Sequence, residues 1–133
     1  LVLPSDVVVA DDLESPARVE VVPIDAIPAD LMVVDLGPDS RHRAGDALAG
    51  ARTVFWNGPM GVFEVDDFAA GTLAVATAMA ASDGFTVVGG GESVMAIRRA
   101  GVADTIDHVS TGGGASLSFL TGAELPALAA LKE

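Results

Sequence analysis

Short runs of apolar and β-branched residues recur along the chain, and glycine, proline and acidic residues separate them. Each run has the length and composition of a β-strand that is buried on at least one face. The predicted strands cover residues 6–10, 19–23, 31–36, 53–56, 85–88 and 107–110. A β-sheet is therefore predicted at the centre of the fold.

Helical patterns lie between the later strands. The predicted helices cover residues 39–51, 66–82, 92–101 and 113–122. The first is expected to begin with Asp39 or Ser40 as its cap and the second with Asp66 or Asp67, and the third ends on arginines followed by Gly101. Alternating strands and helices predict right-handed crossovers, and so an α/β fold with a parallel sheet and helices on its faces.

Composition narrows the class of protein. The length of 133 residues suits one domain, and a hydrophobic share of 50% is enough for a packed core. The chain has no cysteine, which excludes a disulfide framework and a thiolate metal site. No apolar run reaches the roughly 18 residues of a membrane span. The two histidines, His42 and His108, are too isolated to predict a zinc site.

The net charge of −12 changes the expected partners, because such a surface repels nucleic acid. Lysine occurs once, at Lys132. A phosphate ligand would therefore have to be held by backbone N–H groups, helix N-termini or a metal ion.

Glycine-rich turns follow the strands at residues 57–61, 89–91 and 112–114. In parallel sheets ligands bind beyond the carboxyl ends of the strands, so these turns are expected to meet at one edge. In VVGGGESV, Gly90 and Gly91 lead into a helix N-terminus that could bind phosphate. Ser93 could donate a hydroxyl hydrogen and Glu92 could hold Mg²⁺. The alternative is a capped helix with glycines that allow tight packing.

The other two turns repeat this logic with different side chains. In VSTGGGASL, Ser110 and Thr111 precede glycines and a short helix, which could be a second anion site or simply a capped helix. In WNGPMGVFE, Asn57 offers an amide, and Glu64 offers a carboxylate that could bind the two hydroxyls of a ribose. The alternative for Glu64 is a surface carboxylate before an acidic helix start.

The runs VFWNGPMGVFE, VVGGGESV and HVSTGGGASLSFLTGAELPALAAL, in this order, closely resemble the C-terminal part of phosphoglycerate kinase. LPSDVVVADD and VVDLGPDS also resemble that family, and the resemblance covers essentially the whole chain. It implies reversible phosphoryl transfer between 1,3-bisphosphoglycerate and ADP, which gives 3-phosphoglycerate and MgATP. It also implies two Rossmann-like domains, of which the C-terminal one binds the nucleotide.

The resemblance assigns roles to individual residues. Glu64 takes the ribose role and Asn57 lies by the nucleotide phosphates. The phosphate and metal turn comprises Gly90, Gly91, Glu92 and Ser93. The helix that faces the transferred phosphoryl group opens with Gly112, Gly113 and Gly114, and Ser110 and Thr111 fall in a hinge region.

Two departures from the family qualify these roles. The family usually has Asp where this sequence has Glu92, which changes the reach toward Mg²⁺ by about one methylene. The family's catalytic lysine and the arginine of its N-terminal domain have no counterpart in residues 1–133. The chain is therefore expected to be the C-terminal portion of a nucleotide-binding domain, which also explains Leu1 as first residue, and to be inactive alone.

The sequence also bears on alternative functions, and the resemblance on the location, oligomeric state and partners of the protein. A non-catalytic nucleotide-binding module of this length is the alternative to an enzyme fragment. A dinucleotide-binding oxidoreductase is disfavoured, because Val94 stands where that motif needs Gly or Ala. The resemblance also implies a cytoplasmic enzyme that is monomeric when full length, with no nucleic acid or membrane partner.

Overall fold

The computed structural model describes residues 1–131, and Lys132 lies outside them. In chain order the strands and α-helices are β1 (Asp6–Ala10), β2 (Val19–Pro23), β3 (Met32–Leu36), α1 (Pro38–Ala49), β4 (Thr53–Asn57), α2 (Ala70–Ala80), β5 (Phe85–Gly89), α3 (Gly91–Arg99), β6 (His108–Ser110), α4 (Gly113–Leu120) and α5 (Pro126–Ala130). Short 3-10 helices occur at Asp66–Phe68 and Ala103–Thr105. The predicted strands and helices are therefore present, although several of their ends differ.

The later strands form a parallel three-stranded sheet in the order β4-β5-β6. Helices connect these strands, as a parallel arrangement requires. Asn57 pairs with Gly89, and Gly89 pairs with Ser110, so the three strands end side by side. The prediction of an α/β fold with a parallel sheet is confirmed for this part of the chain.

The first three strands form a separate antiparallel sheet in the order β2-β1-β3, where β1 pairs with both neighbours. The expectation of a parallel sheet does not extend to them. Loops without a helix join these strands, across residues 11–18 and 24–31. A parallel crossover needs about a dozen residues or more, so such loops favour antiparallel pairing.

The helix α1 begins one residue earlier than expected, with Pro38 at its first position and Gly37 as its N-cap. Asp39 and Ser40 do not cap it with their side chains. Instead the carboxylate of Asp6, in β1, accepts hydrogen bonds from the N–H of Ser40 at 2.7 Å and of Asp39 at 3.2 Å. The cap of α1 therefore comes from a neighbouring strand.

The start of α2 differs in the same way. The expected caps Asp66 and Asp67 lie in the preceding 3-10 helix, and α2 begins at Ala70 without a local side-chain cap. The carboxylate Oδ2 of Asp35, in β3, accepts the N–H of Gly71 at 2.8 Å. Both helices are thus tied to the antiparallel sheet through a buried or half-buried aspartate.

The faces of the parallel sheet differ in how they are covered. On one face Val54, Trp56 and Val88 pack in a buried cluster with Met79 of α2 and Ile97 of α3. The other face, which includes the half-exposed Phe85, lines an open apolar cavity of about 630 Å³ together with α4 and α5. Among the helices of residues 1–131, none has both the length and the apolar composition that a membrane crossing requires.

Candidate functional site

The carboxyl edge of the parallel sheet is the part of the molecule where the three glycine-rich turns meet. Each turn directly follows one of the paired strand ends, at Asn57, Gly89 and Ser110. Strand direction alone would bring the turns to one edge, and specific contacts then join them. The prediction that the turns share one edge is confirmed.

Two hydrogen bonds connect the first turn to the second. The side-chain amide of Asn57 donates to the carbonyl oxygen of Gly89 at 2.7 Å, and the N–H of Gly58 donates to the hydroxyl oxygen of Ser93 at 2.7 Å. Ser93 is fully buried. In this arrangement its hydroxyl oxygen braces the start of α3 against the first turn, and the phosphate role of Ser93 stays a prediction.

The second and third turns touch backbone to backbone. A Cβ atom on Gly113 would lie 2.8 Å from the Cα of Gly90 and 3.0 Å from its nitrogen, which is too close for any side chain. Gly90 itself has a φ of 96°, a conformation that favours glycine. By contrast, Cβ positions on Gly91 and Gly114 would meet open space. The glycines therefore divide into those that hold the turns together and those that leave room above them.

Helices α3 and α4 both start at this edge. Their N-cap residues are Gly90 and Gly112, and neither helix start carries a side-chain cap. The first N–H groups of such helices, with the positive end of the helix dipole, favour an anion. The edge can therefore bind a phosphate through the backbone, without a lysine.

Glu64 lies in the segment that leaves this edge, residues 58–66, which we call the Glu64 turn. The N–H of Val62 donates to the carbonyl oxygen of Val34 at 2.8 Å, and the N–H of Met60 donates to the hydroxyl oxygen of Thr72 at 3.0 Å. The backbone of the turn is thus fixed to β3 on one side and to α2 on the other. The side chain of Glu64 itself is exposed.

Arg99, the last residue of α3, holds the far end of the same turn. Its guanidinium donates to the carbonyl oxygen of Phe63 and to the carboxylate of Asp66. The side chain of Phe63 is buried, so the residue before Glu64 is fixed by both its backbone and its side chain. The turn therefore presents an exposed carboxylate on a constrained backbone.

Glu92 is exposed in the first turn of α3. Within residues 1–131 no group of three or more His, Cys, Asp or Glu side chains is placed to hold a metal ion. A magnesium ion does not need such a group, because it commonly takes one or two carboxylates and completes its shell with phosphates and water. Glu92 fits that donor set as a single carboxylate.

Some residues that shape the site were not found from the sequence. The sequence predicts Arg99 only as part of a helix end and Asp35 only as part of a strand. Asp35 is 2% exposed, and burial raises the pKa of its carboxyl group above the ordinary value. A charged residue at the end of an apolar run was the available signal, but it did not reveal the residue's partners.

The parallel sheet, with its glycine-rich turns and helix N-termini at one edge, defines an α/β protein of the kind that binds ligands at the carboxyl ends of its strands. The family model for phosphoglycerate kinase matches residues 1–123. The chain belongs to the phosphoglycerate kinase family.

Relatives and solved structures agree with this assignment. The phosphoglycerate kinase of Deinococcus radiodurans is 57% identical over 98% of this chain and 32% of its own length. That of Frankia casuarinae is 58% identical over 98% of this chain and 33% of its own length. The structure of the Coxiella burnetii enzyme superposes with a TM-score of 0.88, at 42% identity, over 95% of this chain and 33% of that one. The chain thus spans about a third of the length of these relatives.

Proposed function

We propose that this chain is the C-terminal portion of the nucleotide-binding domain of a phosphoglycerate kinase. The complete enzyme transfers a phosphoryl group reversibly from 1,3-bisphosphoglycerate to ADP and releases 3-phosphoglycerate and ATP. The observation that supports this most directly is the meeting of three glycine-rich turns and two uncapped helix N-termini at one edge, in a chain of this family.

In the proposed arrangement the nucleotide lies across the carboxyl edge. Glu64 accepts hydrogen bonds from the ribose hydroxyls, and Asn57 lies beside the phosphates. The N–H groups at Gly90 and Gly91 and at the start of α4 (Gly112–Gly114) receive the negative charge. An oxygen of the β-phosphate of ADP attacks the acyl-phosphate phosphorus, whose bond to the carboxyl oxygen breaks, and the carboxylate of 3-phosphoglycerate leaves.

The metal in this proposal is Mg²⁺, with Glu92 as the carboxylate of this chain that binds it directly or through water. Bound Mg²⁺ would neutralise charge on the nucleotide phosphates and fix their positions. The exposure of Glu92 at a helix start beside the open space over Gly91 supports this role.

The chain itself is expected to have no phosphoglycerate kinase turnover. Phosphoryl transfer depends on positive charge around the migrating group, and residues 1–131 contain no lysine. In the proposal 3-phosphoglycerate is held by an N-terminal domain outside this chain, and the full-length enzyme is a cytoplasmic monomer. A coupled assay of the purified 133-residue chain should stay at background. Normal turnover would mean that the catalytic charges lie within these residues.

The ribose role is tested by Glu64→Gln in a full-length enzyme that contains this chain. A neutral amide is a poorer acceptor for two hydroxyls, so ADP binding should weaken by about 1–2 kcal/mol. Binding of 2′,3′-dideoxy-ADP should change much less. Glu14→Gln serves as the matched control, because it neutralises another exposed glutamate that is far from Glu64 in the sequence. Equal ADP binding by all three proteins would contradict the ribose role.

The metal role is tested by titrating Mg²⁺ against the rate for wild type, Glu92→Ala and Glu92→Asp. Glu92→Ala should lower turnover strongly and raise the Mg²⁺ requirement, whereas affinity for metal-free ADP should hold or improve. Glu92→Asp should remain close to wild type. If Glu92 only complements the helix dipole, Glu92→Ala costs about 0.3–1 kcal/mol of stability and the three titration curves superimpose.

A further inference from the structure

Asp35 is an ionisable residue in the interior that the proposed function does not use. It is 2% exposed, and it lies at the junction of β3, the Glu64 turn and α2. Its Oδ2 accepts the N–H of Gly71, but its Oδ1 is buried without a hydrogen-bond partner among the described residues. A buried carboxylate oxygen with no partner is costly, so packing must hold this side chain where it lies.

The unpartnered oxygen is wedged between two glycines. A Cβ atom on Gly61, in the Glu64 turn, or on Gly71, in α2, would overlap Oδ1 of Asp35. Gly61 does not have a positive φ, so its backbone conformation would accept alanine and contact with Asp35 and Val34 is what excludes a side chain. The backbone of the Glu64 turn therefore packs directly against the Asp35 carboxyl group.

The same carboxyl group fixes the position of α2. It supplies the N-terminal cap that α2 lacks locally, and α2 in turn holds the turn through Thr72, which accepts the N–H of Met60. The turn is also bonded to the residue beside Asp35, because Val62 donates to the carbonyl oxygen of Val34. A displacement of Asp35 would thus loosen both supports of the turn at once.

From these contacts we infer that Asp35 is a positioning residue for nucleotide binding, acting on the ribose carboxylate Glu64 through the backbone of Gly61. This inference rests on the proposed function. It predicts an effect on ADP that depends on Glu64, which a residue that only stabilises the fold would not produce.

The chain contains a matched control for this inference. Asp6 has the same chemistry at α1: its carboxylate caps the helix from a strand, and a Cβ on Gly37 would overlap it. Asp6 has no hydrogen bond to the Glu64 turn among the described residues. Asp6→Asn should therefore leave ADP affinity unchanged, whereas Asp35→Asn should weaken ADP binding.

The experiment measures ADP and 2′,3′-dideoxy-ADP affinity in the full-length enzyme for Asp35→Asn, Asp6→Asn and Glu64→Gln. Asparagine keeps the shape and can accept the Gly71 N–H, but its NH₂ group replaces a bare oxygen against Gly61. Asp35→Asn should raise the dissociation constant for ADP by about threefold to tenfold, which lies within the range of coupling found for groups that share a backbone shift. Asp6→Asn should leave ADP affinity at the wild-type value.

The decisive comparison is the double variant of Asp35→Asn with Glu64→Gln, which should bind ADP no more weakly than Glu64→Gln by itself. KM for 3-phosphoglycerate should not move in any of these variants. If Glu64→Gln weakens ADP binding but Asp35→Asn does not, the positioning role is wrong and the ribose role stands. If Glu64→Gln has no effect, the ribose role fails first and the inference falls with it.

A second variant keeps the test valid if Asp35→Asn does not fold. Gly61→Ala leaves the carboxylate and its bond to α2 in place and introduces the overlap from the side of the turn. It should weaken ADP binding by a similar factor, whereas Gly45→Ala, where a Cβ meets open space, should not. Wild-type ADP affinity in a folded Gly61→Ala enzyme would overturn the inference.

Discussion

The two sheets of this molecule have the same number of strands but different uses. In the antiparallel sheet β2-β1-β3, neighbouring strands end at opposite edges. In the parallel sheet β4-β5-β6, the strands end together, and a glycine-rich turn follows each of them. A parallel sheet therefore collects turns from distant parts of the sequence into one site, and an antiparallel sheet of this length does not.

The antiparallel sheet contributes to the site indirectly. It supplies the carboxylates that cap α1 and α2 and the carbonyl oxygen of Val34 that binds the Glu64 turn. The parallel sheet thus carries the glycine-rich turns, whereas the antiparallel sheet fixes the helices and the Glu64 turn that support them. The following predictions test how far the two parts can be separated.

The largest effect is expected at Phe68, which packs on the antiparallel sheet directly before α2. Phe68 is fully buried, packs with Ala10 and Val34 of the antiparallel sheet, and precedes α2, which packs on the parallel sheet. Phe68→Ala should destabilise by about 3–5 kcal/mol, because a large cavity remains. Phe119→Ala, at a side chain that is 62% exposed, is the control and should cost far less.

Urea unfolding of Phe68→Ala also tests whether the sheets unfold together. The single tryptophan, Trp56, is buried in the parallel sheet, so its fluorescence reports that part, whereas far-ultraviolet circular dichroism reports both. Coincident transitions by the two probes are expected, since α2 packs both on β3 of the antiparallel sheet and on the parallel sheet. Separate transitions would show that the two sheets unfold independently and would contradict this expectation.

The next effect concerns the backbone contact between the turns. Gly113→Ala should push the third turn away from Gly90, cost about 1–3 kcal/mol of stability as overpacking does, and weaken ADP binding. Gly45→Ala is the matched control, because its Cβ would meet open space in α1, outside the glycine-rich turns. Thermal melts and calorimetric ADP titrations of the pair would check this. Equal behaviour of the two variants would show that the contact is not needed at the site.

The smallest effect is expected at Asp107, which ties the start of β6 to β5. The backbone N–H and the hydroxyl of Thr86 both donate to its carboxylate, at 2.8 Å and 2.9 Å, and these bonds hold the pKa of Asp107 below its ordinary value. A lowered pKa means that the charged form stabilises the fold above the unfolded pKa, and that this stability is lost as the pH falls.

Asp107→Asn should therefore lower the free energy of unfolding near pH 7, and its difference from wild type should shrink in acid as the wild-type carboxylate becomes protonated. Unfolding curves between neutral and acidic pH would measure this. Asp25→Asn is the control, because the exposed Asp25 carboxylate accepts no hydrogen bond within residues 1–131. A difference for Asp107→Asn that stays constant with pH would contradict the assigned bonds.

The sequence by itself determined the elements, the parallel sheet and the edge where the turns meet. These features depend on local signals: β-branched runs, glycines after strands, and helices between strands that force parallel pairing. The family resemblance through WNGPMGVFE and VVGGGESV was likewise readable from short motifs, and the comparisons confirm it. The ligand roles of Glu64, Glu92 and Asn57 remain predictions.

Only the tertiary structure decided which residues support those motifs. The caps of α1 and α2 were assigned to Asp39 or Ser40 and to Asp66 or Asp67, but they come from Asp6 and Asp35. The two hydrogen bonds span 34 and 36 residues, and no local pattern encodes a partner at that distance. The same holds for the buried Ser93, whose hydroxyl oxygen accepts the N–H of Gly58, 35 residues away in the sequence. Periodicity and turn chemistry act over a few residues, whereas a buried polar group takes its partner from whatever the fold places beside it.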